Sequence, residues 1–360
     1  MSNFSQKGVS ISLEKTGKKY VTLRHVADHA GVSASTASLV LNGKGDISLA
    51  TREKVQSAVS ELNYSSRSQK TKFDTPPTIR FLKVSKHGQT VNTDHNHFIT
   101  DYIDGMSREA MRRDYALEVV TYDSKDIDGL LTASQARDLS GVIILGTELS
   151  ERDIIKLANC GQHVVFIDTC YPFLNANFVD MDNDQTVFTV VSYIKSANFS
   201  RIGFVGSHSE VTNLHLRGKA FQRACEKLSI DVKAHDSFTV EATRDGSYEQ
   251  AKNYLANLKS FADAYFCVND IVALGLVRAL KDLGKSVPQD VSVIGFDNLP
   301  MSSLLSPSLT TIDVPKQQIG ATAIRLLDDM IVSTVTQPAM KVMVSGKLIL
   351  RESTISIEVD

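Results

Sequence analysis

Residues 21–64 read VTLRHVADHAGVSASTASLVLNGKGDISLATREKVQSAVSELNY, and apolar side chains recur through them at helical spacing in three short runs. Thr22 is placed to cap a first helix that carries Leu23, Val26, Ala27 and Ala30 on one face, and Gly31 ends it. Ser33 caps a second helix with Ala37, Val40 and Leu41 turned inward, and Asn42-Gly43 stops it. Ser48 opens a third, longer helix through Val55, Ala58, Val59 and Leu62. A helix, a tight turn at Ala30-Gly31-Val32 and a second short helix form the layout of a helix-turn-helix reader, and equally that of a plain three-helix bundle.

Charge favours the first of these. Residues 1–72 hold 11 Lys and Arg against 5 Asp and Glu, which leaves 28 basic and 36 acidic residues for the remainder of a chain whose net charge is only −2. A basic head on an acidic body points to a polyanion partner for the head alone, although a solvated charged tail gives the same count. Residues 1–19 are polar and aperiodic and read as a mobile leader. Residues 65–77, SSRSQKTKFDTPP, read as a linker closed by two prolines.

With 360 residues, 42% of them hydrophobic, the chain is too long for one core and too apolar for disorder. No run approaches the roughly 18 apolar residues of a membrane helix, and the N-terminal segment lacks the apolar stretch of a signal peptide. A cytoplasmic protein is expected. Cys160, Cys170, Cys225 and Cys267 are far apart with no CxxC pair, so they read as reduced and packed as small apolar groups.

Beyond the linker the rhythm changes. Runs at Thr78–Val84, Leu117–Tyr122, Gly141–Leu145 and His163–Ile167 alternate with helical stretches such as Thr100–Asp114 and Ser150–Ala158. A second series follows from Arg201, with strands RIGFVG, AYFCVN and VSVIGFD and helices at Leu216–Leu228, Tyr248–Leu258 and Ile271–Leu283. The expected fold class is α/β: an all-α head, then two tandem parallel-sheet lobes at residues 78–353, with a ligand cleft between them and a tail at 354–360.

Catalytic signatures are missing: there is no GxxxxGK[ST], no GxGxxG after a strand and no GxSxG, so an enzyme is not expected. His25 and His29 stand four apart on one helix, but Val26 occupies the position of a zinc protease's glutamate, and no metal or cofactor is expected. His87, His95 and His97 crowd KHGQTVNTDHNH (residues 86–97), which reads as an extended loop at the mouth of the cleft and, alternatively, as an anion or metal site.

Residues 21–64 resemble, without a gap, the head of the lac-repressor (LacI/GalR) family of bacterial transcription regulators. The likeness continues through NHFITDYIDG (96–105), VNDIVALG (268–275), VSVIGFDN (291–298), LTTI (309–312) and LILRES (348–353). It implies an effector-binding core like that of periplasmic sugar-binding proteins. Carried over by position, Ser33–Leu41 is the recognition helix, with Ala34, Ser35, Ser38 and Leu39 toward base edges or nearby phosphates. Many members carry a long polar or basic side chain there. Ala and Leu instead pack on thymine methyls, and none of the four gives guanine a bidentate grip, so specificity leans on methyl contacts and DNA shape.

Thr22, Leu23, Ser33, Thr36, Asn42, Ser48 and Thr51 lie at helix starts or turns, where hydroxyls and backbone N–H groups meet phosphates or simply cap the helices, and Arg24 is a backbone or base contact. Phe73 falls where the family places a leucine that wedges into the minor groove, or else it covers the top of the core. Arg217, Asn269 and Asp297 occupy the family's polar effector positions, with Phe98 and Phe296 as walls and Asp168 on the facing lobe. The resemblance implies a homodimer on a pseudo-palindromic operator, most simply a repressor, whose DNA affinity is changed by a sugar or sugar derivative, as inducer or as corepressor. The alternative is a sugar-binding receptor without DNA function.

Overall fold

The computed structural model describes residues 22–41, 45, 47–62, 76–86, 96–135 and 138–355. The chain divides into two compact units, Met1–Thr75 and Pro76–Asp360. The leader, Asn42, Phe73, nearly all of the linker, His87, His95 and residues 356–360 lie outside the described residues.

Three helices form the first unit: α1 (Leu23–Ala30), α2 (Ala34–Leu41) and α3 (Leu49–Glu61). Each starts where a hydroxyl meets an otherwise orphaned backbone N–H. Thr22 Oγ1 accepts from the His25 N–H at 3.4 Å while the His25 ring nitrogen accepts from the Thr22 N–H at 3.1 Å. Ser33 Oγ accepts from the Thr36 N–H at 3.1 Å, and Ser48 Oγ from the Thr51 N–H at 3.3 Å. Gly31, at φ 66°, takes the left-handed conformation that closes α1. Val26, Ala27, Ala37, Val40, Val55 and Ala58 make a small buried core. Arg52 secures the approach to α3 by donating to the carbonyls of Ile47 (3.1 Å) and Gly45 (3.0 Å). His25 and His29 are exposed, and His29 meets Glu61 at 2.8 Å.

The second unit begins with β1 (Thr78–Ser85), α4 (Asn96–Arg112), β2 (Ala116–Asp123), α5 (Ile127–Ser134), β3 (Leu139–Leu145), α6 (Glu151–Ala158), β4 (Val164–Ile167) and β5 (Asn177–Met181). It continues through α7 (Asn183–Ser196), β6 (Ile202–Ser207), α8 (Thr212–Lys227), β7 (Ser237–Val240), α9 (Arg244–Leu255), β8 (Ala264–Cys267), α10 (Asp270–Asp282) and β9 (Ser292–Ile294). The last segment holds β10 (Thr311–Asp313), α11 (Lys316–Val332), β11 (Lys341–Val344) and β12 (Lys347–Ile349).

Two parallel sheets result, of order β11-β5-β4-β3-β1-β2 and β7-β6-β8-β9, and β10 and β12 form an antiparallel pair. Strands such as VVFI and AYFC are buried along their whole length because helices cover both faces. The two arrays expected from the sequence are present, but β11 returns to pair with β5 of the first sheet, so the lobes are interleaved by repeated chain crossings. Ser353 and Thr354 are buried, and Ser353 exchanges hydrogen bonds with Val293.

Helices α4 and α11 touch backbone to backbone. A Cβ at Gly105 would lie 2.0 Å from the Gln317 carbonyl oxygen, and one at Gly320 2.3 Å from that of Tyr102. The crossing therefore needs glycine on both helices.

Candidate functional site

On the first unit, Ala34, Ser35 and Leu39 are exposed and Ser38 is half-buried, so they form one stripe along α2. Thr22, Arg24, Ser33 and Ser48 are exposed, while Leu23, Thr36 and Thr51 are half-buried. The hydroxyls already hold one another: Ser33 bonds Ser35 and Thr36 at 2.8 Å each, and Ser48 bonds Thr51 at 2.8 Å. Each hydroxyl can still use a remaining lone pair or proton toward a ligand, so capping and phosphate contact are compatible.

In the second unit, five of the six expected effector residues meet in one buried cluster, and the sixth, Asn269, follows Val268, whose carbonyl that cluster binds. The Arg217 guanidinium lies over the Phe296 ring at 3.8 Å and 3.4 Å from Asp297 Oδ1. It donates to the Val268 carbonyl (2.8 Å), beside Asn269, and to Asn183 Oδ1 (3.2 Å). Asn183 in turn donates to Asn213 Oδ1 at 2.9 Å. Asn213, on α8 of the second lobe, donates across to Asp168 Oδ1 at 3.3 Å and Asp180 Oδ1 at 3.1 Å in the first. Asp168 also receives the Tyr102 hydroxyl at 3.2 Å and the Thr147 hydroxyl. Lys316 Nζ donates to the Asp297 carbonyl at 2.8 Å and sits 5.1 Å above the Phe98 ring.

Two of the six have a structural task beside any ligand role. Asn269 is fully buried and its Oδ1 caps α10 through the Val272 N–H at 2.9 Å. Phe296 is fully buried beneath Arg217, so it walls the guanidinium. Asp168 and Asp297 hold positive φ values of 58° and 120°. Such conformations cost about 1–3 kcal/mol each and persist where surrounding bonds over-determine them.

Burial pushes the Asp180 carboxyl well above the usual carboxylate range, and the Asp168 charge adds to it. Burial and the charge of Asp297 raise Asp270 to about 7, against the pull of hydrogen bonds from Ser302, Thr311 and the Leu299 N–H. Tyr102, fully buried, is raised by desolvation and then by Asp168, Asp180 and Asp297, so all three carboxylates act on one spot.

Tyr102, Thr147, Asp180, Asn183, Asn213 and Lys316 are not among the residues picked out from the sequence. Asn213 had a signal, since it precedes Arg217 by one helical turn and shares its face. A buried lysine at the start of α11 had none. His97 is exposed at the start of α4. Among the described residues no cluster of three or more His, Cys, Asp or Glu is arranged to hold a metal, and no helix is long and apolar enough to cross a membrane.

Comparison with known proteins gives this geometry a context. Residues 22–66 match the model for bacterial regulatory proteins of the lacI family, and residues 191–354 that for a periplasmic binding protein-like domain. The HTH-type transcriptional repressor PurR of Photobacterium profundum is 30% identical over 312 residues, covering 85% of this chain and 90% of the relative. The ribose operon repressor of Escherichia coli is 27% identical, covering 89% and 94%. Among solved structures, a putative LacI transcriptional regulator from Bacillus cereus subsp. cytotoxis is 26% identical, with a TM-score of 0.69 over 79% of this chain and all of that one. A lac repressor dimer bound to operator and an anti-inducer shares the fold at 23% identity, with a TM-score of 0.69 over 94% of this chain and all of the other. A capped three-helix head, a two-lobed parallel α/β body and relatives matched over nearly their full length make this chain a member of the lacI family of bacterial regulatory proteins, a DNA-binding regulator of transcription.

Proposed function

We propose that the protein is a cytoplasmic repressor that binds a pseudo-palindromic operator as a homodimer and changes its DNA affinity when a small polar effector occupies the cleft between its lobes. The buried network from Asp297 through Arg217, Asn183 and Asn213 to Asp168 is the observation that carries this function. It ties the two lobes together through side chains that can exchange their partners for ligand hydroxyls. An Arg fork and a carboxylate each bond two vicinal hydroxyls, which suits a sugar or sugar derivative.

At the head, Ala34, Ser35, Ser38 and Leu39 meet base edges, while Thr22, Leu23, Arg24, Ser33, Thr36, Asn42, Ser48 and Thr51 meet the sugar-phosphate backbone, with Phe73 as minor-groove wedge. Exposed Leu305 lines a cavity of about 380 Å3 with Ile271, Leu274, Val277, Met301 and Pro307, and the neighbouring Leu304 is exposed as well, a surface that suits a second copy of this chain. Four buried, unpaired cysteines fit a reducing compartment.

The test is selection of duplexes from a random pool, followed by a mobility-shift titration of the selected site. Enrichment of an inverted repeat, with retention altered by a sugar or related ligand, supports the function, and the direction of the change separates inducer from corepressor. Removing residues 1–64 should abolish retention and leave ligand affinity unchanged. No preference over random competitor at moderate salt, with or without ligands, would overturn it.

A further inference from the structure

One corner of the second sheet, between β6, β7 and α8, is not filled. The paired residues Val205 and Phe238 turn into the core shared with α9 and α10. The alternate pairs, Phe204 with Ser237 and Gly206 with Thr239, therefore turn to the face under α8. Parallel strands carry apolar side chains on both faces when helices cover both. Here three of the four positions are glycine, serine and threonine, and α8 adds Gly218. A Cβ at Gly218 would find only the Phe204 ring within 4 Å among the described residues, at 3.5 Å. The result is a cavity of about 890 Å3 between α8 and β7, as large as a small-molecule pocket. It opens on the opposite face of the sheet from α9, α10 and the Leu305 surface.

Its lining combines an aromatic floor with positive walls. Phe204, half-buried, stacks on Phe221 with ring centroids 4.9 Å apart and planes 20° from parallel. Lys219 on α8 and Lys233 on the segment before β7 are both exposed. Neither ammonium is held in an ion pair among the described residues, and Glu226 is the one carboxylate on the lining. The exposed Thr239 hydroxyl adds a donor and an acceptor. A flat ring stacks on such a floor, and two ammonium groups attract an anion attached to it. A neutral sugar gains nothing from the two charges.

Helix α8 separates this groove from the effector cleft. Asn213 and Arg217, four residues apart, point into the cleft network, while Leu214, Gly218 and Cys225 line the groove. An occupant that fits one position of α8 better than another shifts the cleft, and the cleft's ligand shifts the groove by the same free energy.

We propose that this groove is a second ligand site, for a flat aromatic molecule bearing a phosphate or carboxylate, and that its occupant acts on the cleft through α8. The site stands apart from the effector function above, and only its control of DNA affinity rests on that function.

Calorimetric titration of the full chain tests it, with adenosine monophosphate and 4-hydroxybenzoate as probes. Adenosine is the control with a ring alone, and inorganic phosphate and acetate are the controls with an anion alone. Amide exchange locates the bound probe, and operator retention is read in parallel. The expected result is that at least one aromatic anion binds about tenfold or more tightly than the controls. Protection then falls on residues 214–226 and 230–239, and Lys219→Glu combined with Lys233→Glu removes the binding. Gly218→Leu, which fills the space beside Phe204, should do the same in a chain that still melts cooperatively. Binding of adenosine monophosphate alone identifies a nucleotide, and binding of 4-hydroxybenzoate alone an aromatic acid. Binding of neither probe at millimolar concentration, controls that bind as tightly, protection confined to the cleft around Asp168 and Asp297, or binding that survives the double lysine substitution overturns the site. Binding in the groove that never alters operator retention overturns the action through α8. A chain that selects no duplex overturns the operator function instead, and the same titration still decides the site.

Discussion

Asp180 is a carboxyl group with no exposure to water and one oxygen lacking a donor, and this has a consequence for stability. A carboxyl whose folded pKa lies above its unfolded value of about 3.9 holds its proton more tightly in the folded chain. Stability is then greatest below the unfolded value and falls as pH rises toward the folded one. Asp270, raised to about 7, acts in the same direction. The melting temperature is expected to fall between pH 5 and pH 8.5. Asp180→Asn should flatten that slope and melt higher than the parent at pH 8.5; a steeper slope in a calorimetric series would contradict the electrostatic account. On the recognition stripe, Ser35→Arg introduces the fork that α2 lacks. It should move base preference toward guanine at one operator position by about 1–3 kcal/mol, measured by competition mobility shift.

At the scale of elements, the head depends on its caps because, among the described residues, its fully buried core is six small or medium side chains. Ser48→Ala should cost about 1 kcal/mol in denaturant unfolding, through loss of the bond to the Thr51 N–H. Packing of α4 on α11 is less forgiving. A side chain at Gly320 meets the Tyr102 carbonyl, which is backbone and cannot rotate away. Gly320→Val should destabilise the body by about 1–3 kcal/mol or more, with the loss visible in its thermal transition. Because Tyr102 also holds Asp168, the same substitution should weaken effector binding.

For the molecule as a whole, among the described residues Arg217, Asn213 and Thr212 place side-chain bonds between the lobes, Arg217 to Met181 Sδ at 2.8 Å. Asn213 reaches Asp168 and Asp180, and the Tyr171 hydroxyl meets Thr212 at 3.0 Å. Asn213→Ala combined with Tyr171→Phe should favour the open form, seen as a larger radius of gyration in solution scattering and faster amide exchange at the start of α8. Leu304→Asp should shift sedimentation toward the monomer and weaken operator binding, because two half-sites need two heads.

Local chemistry was legible from the sequence. The caps at Thr22, Ser33 and Ser48, the stop at Gly31 and the alternation of β-branched runs with helices depend on neighbours within a few residues. The resemblance added Asn269 and Asp297, each inside a contiguous motif, and Arg217 by its position. What only the tertiary structure decided has long sequence separation: β11 pairing with β5, Gly320 lying against Tyr102, and Asp180 meeting Asp168 through an amide 33 residues further along the chain. No periodicity encodes such meetings, since they arise when two sheets and their crossings bury polar groups that must then find partners in space.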